Sequence, residues 1–138
     1  MIIDATDLLL GRMSSFVAKK ALLGEKVVVV NCEKAVISGS KANIIANYKN
    51  KRDRRTIRKG PFYPRMPDRL VKRTIRGMLP HRQYKGRTAL KRIMCYIGVP
   101  EEFKKEKIET IKEAHVSKLP VLKYIKLEDL CREIGARI

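Results

Sequence analysis

The chain has 138 residues, of which 44% are hydrophobic and 33% charged, with no tryptophan and a formal net charge of +18 at pH 7. This length suits one domain that buries roughly two-thirds of its unfolded surface, and the composition is that of a globular α/β or α-rich protein. So large a positive charge is self-repulsive in a small chain. We expect a polyanionic partner that relieves it, with nucleic acid favoured over an anionic membrane face.

The cysteines and the N-terminus contain no sign of export. Cys32, Cys95 and Cys131 are odd in number and far apart, which favours buried thiols in a reducing compartment over a disulfide framework or a zinc knuckle. No basic segment followed by an apolar stretch opens the chain, and no run approaches eighteen apolar residues. We therefore predict neither a signal peptide nor a membrane span, and a cytoplasmic location without a membrane partner.

Apolar periodicity near the N-terminus predicts one helix and one buried strand. The helix is expected from about Leu8 to Leu23, with Thr6 or Asp7 as its cap, because apolar residues recur every three or four positions along it. The strand spans residues 26–31, where valines follow one another without alternation, as in parallel strands covered by helices on both faces. With the short apolar start at residues 1–5, a strand, helix, strand order is expected.

The turn Ser38-Gly39-Ser40-Lys41 follows a candidate short strand at residues 33–38 and precedes a helix that extends through Lys49. Gly-rich turns at helix starts can cradle a phosphate with their amides. A nucleotide-binding loop, however, needs a second glycine and a hydroxyl after the lysine, and these do not fit here. A plain helix cap is the favoured interpretation. The alternative is a nucleotide-binding or RNA-processing enzyme that uses this turn as its phosphate loop.

Residues 49–92 carry seventeen of the 32 Lys and Arg residues but only two acids, Asp53 and Asp68. This segment therefore contributes +15 of the net charge. Between residues 49 and 65 the apolar periodicity stops, and Gly and Pro favour an extended backbone, which predicts a partner-bound arm rather than a solvated run of charge. We interpret residues 49–92 as a basic insertion within a single domain of residues 1–138.

A helix with two contrasting faces is expected from Pro67 to Gly77. The apolar face, expected to lie on the domain, comprises Leu70, Val71, Ile75 and Met78. The cationic face comprises Arg69, Lys72, Arg73 and Arg76. At 1.5 Å per residue the cationic row spans roughly 10 Å, enough to follow part of a phosphate backbone. A membrane-surface helix is disfavoured, because only this one short helix has such character.

The remainder of the chain predicts a return to the core. A short helix is expected at residues 84–90 and a second buried strand at residues 93–97. A last strand is expected within residues 119–125. The final helix carries apolar residues on one face from Leu127 to Ile134 and ends at a glycine.

The sequence offers few groups for catalysis or metal binding. His81 and His115 are the only histidines, and neither stands in a recognisable catalytic setting. Asp53 and Asp68 are isolated, so the paired carboxylates of metal-dependent phosphodiester chemistry are missing, and the histidines and cysteines lack metal-ligand spacing. We predict no catalytic residue, no metal, no cofactor and no small-molecule substrate.

The basic segment is instead suited to binding phosphate. Arginine outnumbers lysine in it, and a guanidinium can hold two phosphate oxygens and stack on an unpaired base. The irregular arm and the lack of a helix-turn-helix or zinc module favour folded RNA over duplex DNA. Four aromatic residues either stack on bases or pack under the arm: Tyr48, Phe62, Tyr63 and Tyr84. The predicted RNA-binding residues are Arg52, Arg54, Arg55, Arg58, Lys59, Arg65, Arg69, Lys72, Arg73, Arg76, His81, Arg82, Lys85, Arg87 and Arg92.

Several runs occur in an order that points to a known family. They are Leu10-Gly11-Arg12-Met13, Val28-Val29-Val30-Asn31, Ile37-Ser38-Gly39, Gly98-Val99-Pro100 and, most specific, Arg73-Thr74-Ile75-Arg76-Gly77-Met78-Leu79-Pro80-His81. With these runs the chain resembles the large-ribosomal-subunit protein thirteen family in its archaeal and eukaryotic branch. The resemblance covers residues 1 to about 105 and is weak beyond. The long C-terminal helical extension of eukaryotic members is absent, which favours an archaeal source.

The resemblance implies a three-layer α/β/α sandwich on a four-stranded, mostly parallel sheet, with the basic segment as a helical and extended insertion. It further implies a structural constituent of the large ribosomal subunit that binds and stabilises folded large-subunit rRNA during assembly, without enzymatic activity. The implied partners are that rRNA and neighbouring large-subunit ribosomal proteins. The implied location is the cytoplasmic ribosome.

Overall fold

The computed structural model describes residues 1–137 and shows an α/β protein with a three-layer α/β/α arrangement, as predicted. Within these residues the strands are β1 (Ile2–Asp4), β2 (Val27–Val30), β3 (Val36–Ser38), β4 (Ile93–Cys95), β5 (Ile108–Glu109) and β6 (Tyr124–Lys126). The helices are α1 (Leu10–Leu22), α2 (Lys41–Asp53), α3 (Pro67–Met78), α4 (Tyr84–Lys91) and α5 (Leu127–Glu133).

Four of the strands form one parallel sheet in the order β4-β2-β1-β5, which confirms the predicted four-stranded sheet. The other two strands, β3 and β6, pair antiparallel in a separate small sheet with Ile37 opposite Ile125. Strand β5 has only two residues, and both are exposed. It was not predicted, because so short and exposed a strand leaves no apolar pattern in the sequence.

Strand β2 lies between β1 and β4, so its backbone is paired on both sides. Val27 and Val29 have no exposed surface, and Val28 is only partly exposed. Burial on both faces of the sheet explains the unbroken run of valines. Helix α1 packs its predicted apolar face inward, with Met13 and Val17 fully buried.

Helix α3 is anchored by its apolar face and packs chiefly against α1 and β4. Leu70, Val71 and Ile75 have no exposed surface. The prediction that Met78 faces the domain is wrong, because 43% of its surface is exposed. Met78 is the last residue of the helix, and Leu79, which follows in extended conformation, takes the buried position instead.

The start of α1 also differs from the prediction. Neither Thr6 nor Asp7 caps the helix; Leu9 occupies the cap position and makes no side-chain hydrogen bond. Leu8 and Leu9 form isolated β-bridges with other parts of the chain, so both residues stay extended and the helix begins after them. The Thr6 hydroxyl donates instead to the carboxylate of Asp4, at 2.7 Å.

Two further boundaries shift. The strand predicted at residues 33–38 begins only at Val36, because Asn31 has a φ of 53° and a 3₁₀ turn at residues 32–34 interrupts the extended chain. Helix α2 continues past the predicted Lys49 to Asp53. The first turn of the predicted extended arm is therefore helical.

Candidate nucleic-acid interface

The predicted RNA-binding residues lie mostly on the outside of the protein. Eleven of the fifteen are exposed. The other four, which are partly buried, are Arg52, Lys72, His81 and Arg92. Most of the predicted cations can therefore be reached by a partner without any change in the fold.

Carboxylates pair with only two cations of residues 49–92 in the described part of the chain. Lys49 Nζ lies 3.2 Å from Glu133 Oε2, and Arg52 Nε lies 2.7 Å from Asp53 Oδ1. The hydrogen bond from Arg52 lowers the pKa of Asp53. The second acid, Asp68, has one buried oxygen without a hydrogen-bond partner. The positive charge of residues 49–92 is therefore almost uncompensated.

Besides Arg73, described below, three of the predicted residues make polar contacts to backbone carbonyls of the protein itself. Arg52 Nη1 donates to the carbonyl of Ile134, at 3.3 Å. Arg92 Nη1 donates to the carbonyl of Ala21 near the end of α1, at 3.2 Å, where the helix dipole favours a cation. His81 Nδ1 lies 3.3 Å from a carbonyl two residues earlier. Arg52 and Arg92 contact residues that are distant in the sequence, and the His81 contact depends on the geometry of its loop. Residue type alone therefore could not separate these three residues from the other predicted RNA-binding residues.

Arg73, on the cationic face of α3, is held against an aromatic pair. Its guanidinium carbon lies 4.3 Å from the centroid of the Tyr63 ring, and its Nη1 donates to the Phe62 carbonyl, at 3.5 Å. Tyr63 packs edge-to-face on Tyr48 with centroids 5.9 Å apart. Burial, and then the neighbouring Tyr63, raises the pKa of Tyr48 to about 12. Tyr48 and Tyr63, two of the four aromatic residues, therefore pack beneath the arm, and the Tyr63 ring positions the guanidinium of Arg73.

Lys51 belongs to the basic segment but was not among the fifteen predicted RNA-binding residues. Its ammonium lies 4.7 Å from the centroid of the Tyr48 ring, a distance suited to a cation–π contact. The signal was its position three residues after Tyr48, which places both side chains on one face of α2.

Two cavities flank Arg73 on the cationic face. The first, between the end of α2 and α3, has a volume of about 420 Å³ and is lined by Lys51, Arg54, Pro61, Tyr63, Arg73, Thr74 and Gly77. The second, on the other side of Arg73, has a volume of about 340 Å³ and is lined by Pro64, Arg69, Lys72, Arg73, Arg76 and Leu90. The surface is therefore contoured rather than flat.

A tight loop beside these cavities presents further cations. The backbone groups of Thr56 and Gly60 exchange hydrogen bonds of 3.1 and 3.2 Å, and Gly60 has a φ of 75°, which favours glycine. Arg58 and Lys59 lie on the loop, together with Ile57, whose surface is 95% exposed. An isoleucine this exposed is suited to contact with a partner.

One amide of the turn Ser38-Gly39-Ser40-Lys41 is not available to bind phosphate. The amide of Gly39 donates to the carbonyl of Lys123, at 2.8 Å, and so is already used. Ser40 occupies the cap position of α2, and its side chain makes no capping hydrogen bond. The turn stands at the start of α2, as the predicted helix cap requires, but Ser40 does not cap the helix with a hydrogen bond.

The three cysteines are free thiols. Cys32 and Cys131 are fully buried, as expected, whereas Cys95 is only partly buried. Burial raises the pKa of the Cys131 thiol to about 12. Among residues 1–137 no group of three or more His, Cys, Asp or Glu side chains is arranged to hold a metal ion. In the same residues no helix is both long enough and apolar enough to span a membrane.

The fold and this surface together define a class of protein: a small basic α/β protein with a surface of almost uncompensated positive charge. The family described as Ribosomal protein L13 matches residues 1–102. Large ribosomal subunit protein uL13 of Methanosarcina barkeri is 45% identical over 137 residues, which cover 99% of this chain and 98% of that protein. The uL13 protein of Archaeoglobus fulgidus is 46% identical over 99% of this chain and 88% of its own length.

The chain belongs to the ribosomal protein L13 family. This confirms the family resemblance, and because the relatives come from archaea it confirms the archaeal branch as well. The prediction that the protein is not an enzyme is also confirmed, because its relatives are ribosomal proteins. Family membership likewise confirms the predicted location in the cytoplasmic ribosome.

Proposed function

We propose that the protein is a structural constituent of the large ribosomal subunit, and that residues 49–92 bind and stabilise folded large-subunit rRNA during assembly. The observation that supports this most strongly is the absence of carboxylate partners from fifteen of the seventeen cations in this segment of the described chain. Uncompensated cations repel one another, and phosphates would remove that repulsion.

Helix α3 is the central element of this proposal. Its buried Leu70 and Ile75 fix the helix on the domain, so that its cationic face has a fixed position. The row on that face spans roughly 10 Å and consists of Arg69, Lys72, Arg73 and Arg76. Because the cations are positioned before binding, less conformational entropy is lost when they meet phosphate groups.

The fifteen residues named in the sequence analysis are the proposed rRNA contacts, with Lys51 added. Residues 1–138 would act as one α/β domain that carries residues 49–92 as its RNA-binding element. Neighbouring large-subunit ribosomal proteins are the second proposed class of partner. The support for them is that the relatives are named as large-subunit proteins. Crosslinking within intact subunits, followed by mass spectrometry, would identify them.

The first experiment measures affinity for large-subunit rRNA as a function of salt. If six to ten phosphates are neutralised, the affinity should fall by about 10³ to 10⁵ between 50 and 200 mM salt. An affinity that does not change with salt would contradict the proposal. Co-sedimentation with the large subunit after a high-salt wash provides an independent test.

A charge-matched pair of variants locates the interface. The first replaces the four cations of the α3 face by Gln: Arg69, Lys72, Arg73 and Arg76. The control replaces four exposed lysines elsewhere by Gln: Lys104, Lys105, Lys107 and Lys112. Both variants lose four charges, so a general attraction to RNA weakens equally in both. The proposal predicts a markedly larger loss for the α3 variant, with unfolding curves showing that each variant is folded.

A further inference from the structure

The cavity of about 420 Å³ between α2 and α3 has the size and chemistry of a binding pocket. Its volume falls within the range of roughly 300–1,000 Å³ that is usual for pockets that accept small organic groups. It can hold one nucleotide that has left its helix, but it is too small to admit an RNA helix. None of the described residues that line it is acidic.

The walls of this cavity offer what an unpaired base needs. Lys51 and Arg54 supply positive charge, and the guanidinium of Arg73 lies over the Tyr63 ring. Unpaired RNA bases stack on aromatic rings and on the planes of arginine guanidinium groups. The Thr74 hydroxyl donates within its own helix to the Leu70 carbonyl, at 3.0 Å. Its oxygen can still accept a hydrogen bond from a base N–H group.

We infer that this cavity receives a single unpaired base of the bound RNA. The base stacks against Arg73, and Lys51 and Arg54 neutralise the phosphates beside it. The inference rests on the proposed function and adds to it, because contacts to phosphates alone would be indifferent to base pairing. The cavity therefore recognises a particular RNA shape, a helix interrupted by an extruded nucleotide.

Gly77 allows the cavity to be filled without removing any charge. It lies in α3 and lines the cavity, and a Cβ atom added to it would meet no atom within 4 Å. Its φ is not positive, so a side chain causes no backbone strain. Gly11 is a matched control, because it lies in α1, does not line the cavity, and has the same open space around a Cβ atom.

The test compares Gly77→Met, Gly11→Met and the wild-type protein. The probe is transcribed large-subunit rRNA, with affinity measured by filter binding at several salt concentrations and nucleotide mobility by 2′-hydroxyl acylation. We expect Gly77→Met to lower affinity about tenfold, the order expected for losing one base stack. The salt dependence should not change, since no cation is lost. One unpaired nucleotide that the wild-type protein protects should become reactive, and Gly11→Met should match the wild-type protein.

Several outcomes would overturn the inference. If Gly77→Met binds like the wild-type protein, the cavity takes no base, while the salt dependence of the wild-type protein still supports the proposed function. If its affinity falls but no single nucleotide changes in reactivity, the side chain obstructs the RNA backbone rather than a base. If the wild-type protein does not bind rRNA, the proposed function fails as well. Unfolding curves ensure that only folded variants are compared.

Discussion

The guanidinium carbon of Arg73 lies 4.3 Å from the centroid of the Tyr63 ring. Tyr63 is itself packed edge-to-face against Tyr48, so the arginine is supported by a partly buried aromatic pair. A guanidinium keeps its positive charge when it is stacked on an aromatic ring. Arg73 is therefore a positioned cation between two cavities. A freely moving side chain would instead have to be ordered on binding.

Arg73→Lys should separate stacking from charge. The lysine retains the positive charge but loses the planar group that lies over Tyr63, so rRNA affinity should fall about two- to fivefold with the same salt dependence. Arg73→Gln removes the charge as well and should reduce the slope of log affinity against log salt by about one. Filter binding at several salt concentrations measures both effects. Equal slopes for the two variants would show that Arg73 does not contact phosphate.

Ile75→Ala should destabilise the protein by about 2–5 kcal/mol, because it removes a fully buried side chain and leaves a cavity beneath α3. Met78→Ala is the control on the same helix. Its side chain is 43% exposed, so the change should be within about 0.5 kcal/mol. Urea unfolding measures both free energies. A large cost for Met78→Ala would mean that Met78 faces the domain after all.

Gly86→Ala should destabilise the protein by about 1–3 kcal/mol, as overpacking does. An added Cβ would lie 2.2 Å from the carbonyl oxygen of Pro80, so the backbone of one segment would have to move. Gly77→Ala is the comparison, because that position is open and helical. It should stabilise by about 0.5–1 kcal/mol. If thermal or urea unfolding ranks the two variants in the opposite order, α4 does not approach Pro80 as closely as the structure shows.

Asp4→Asn should cost stability at neutral pH and less in acid. Burial by itself raises the pKa of Asp4, but hydrogen bonds from Thr6 and Asn31 outweigh this, and the pKa lies below its ordinary value of 3.8. A lowered pKa in the folded protein means that the ionised carboxylate stabilises the fold above the ordinary pKa. This contribution is lost as the pH falls through the lowered value.

Urea unfolding of wild-type protein and Asp4→Asn at pH 7 and at increasingly acidic pH tests this sign. The free-energy difference between the two proteins should shrink on acidification. Thr6→Val removes the 2.7 Å hydrogen bond from the threonine hydroxyl and should reduce the dependence on pH without abolishing it. A difference that stays constant with pH would show that ionised Asp4 does not stabilise the fold.

The candidate surface was largely predictable because electrical charge is additive. Residues 49–92 contain seventeen cations and two acids, so the segment is strongly basic whatever its conformation. The buried β2 valines were equally predictable, because burial on both faces leaves an unbroken apolar run. The periodicity of α3 correctly assigned Leu70 and Ile75 to the core. It failed at Met78, the last residue of α3, because the chain turns after it and Leu79 takes the buried position.

The position of the charge, the residues able to form a core and the family similarity can all be read from the amino-acid sequence. The contacts that the cations make within the protein follow from the folded structure. It showed that Arg52 and Arg92 donate hydrogen bonds within the fold, and it placed Arg73 on Tyr63 beside a cavity. The physical reason is that composition and periodicity are local properties of a chain. A cavity or a stacked pair depends on residues that meet only after folding.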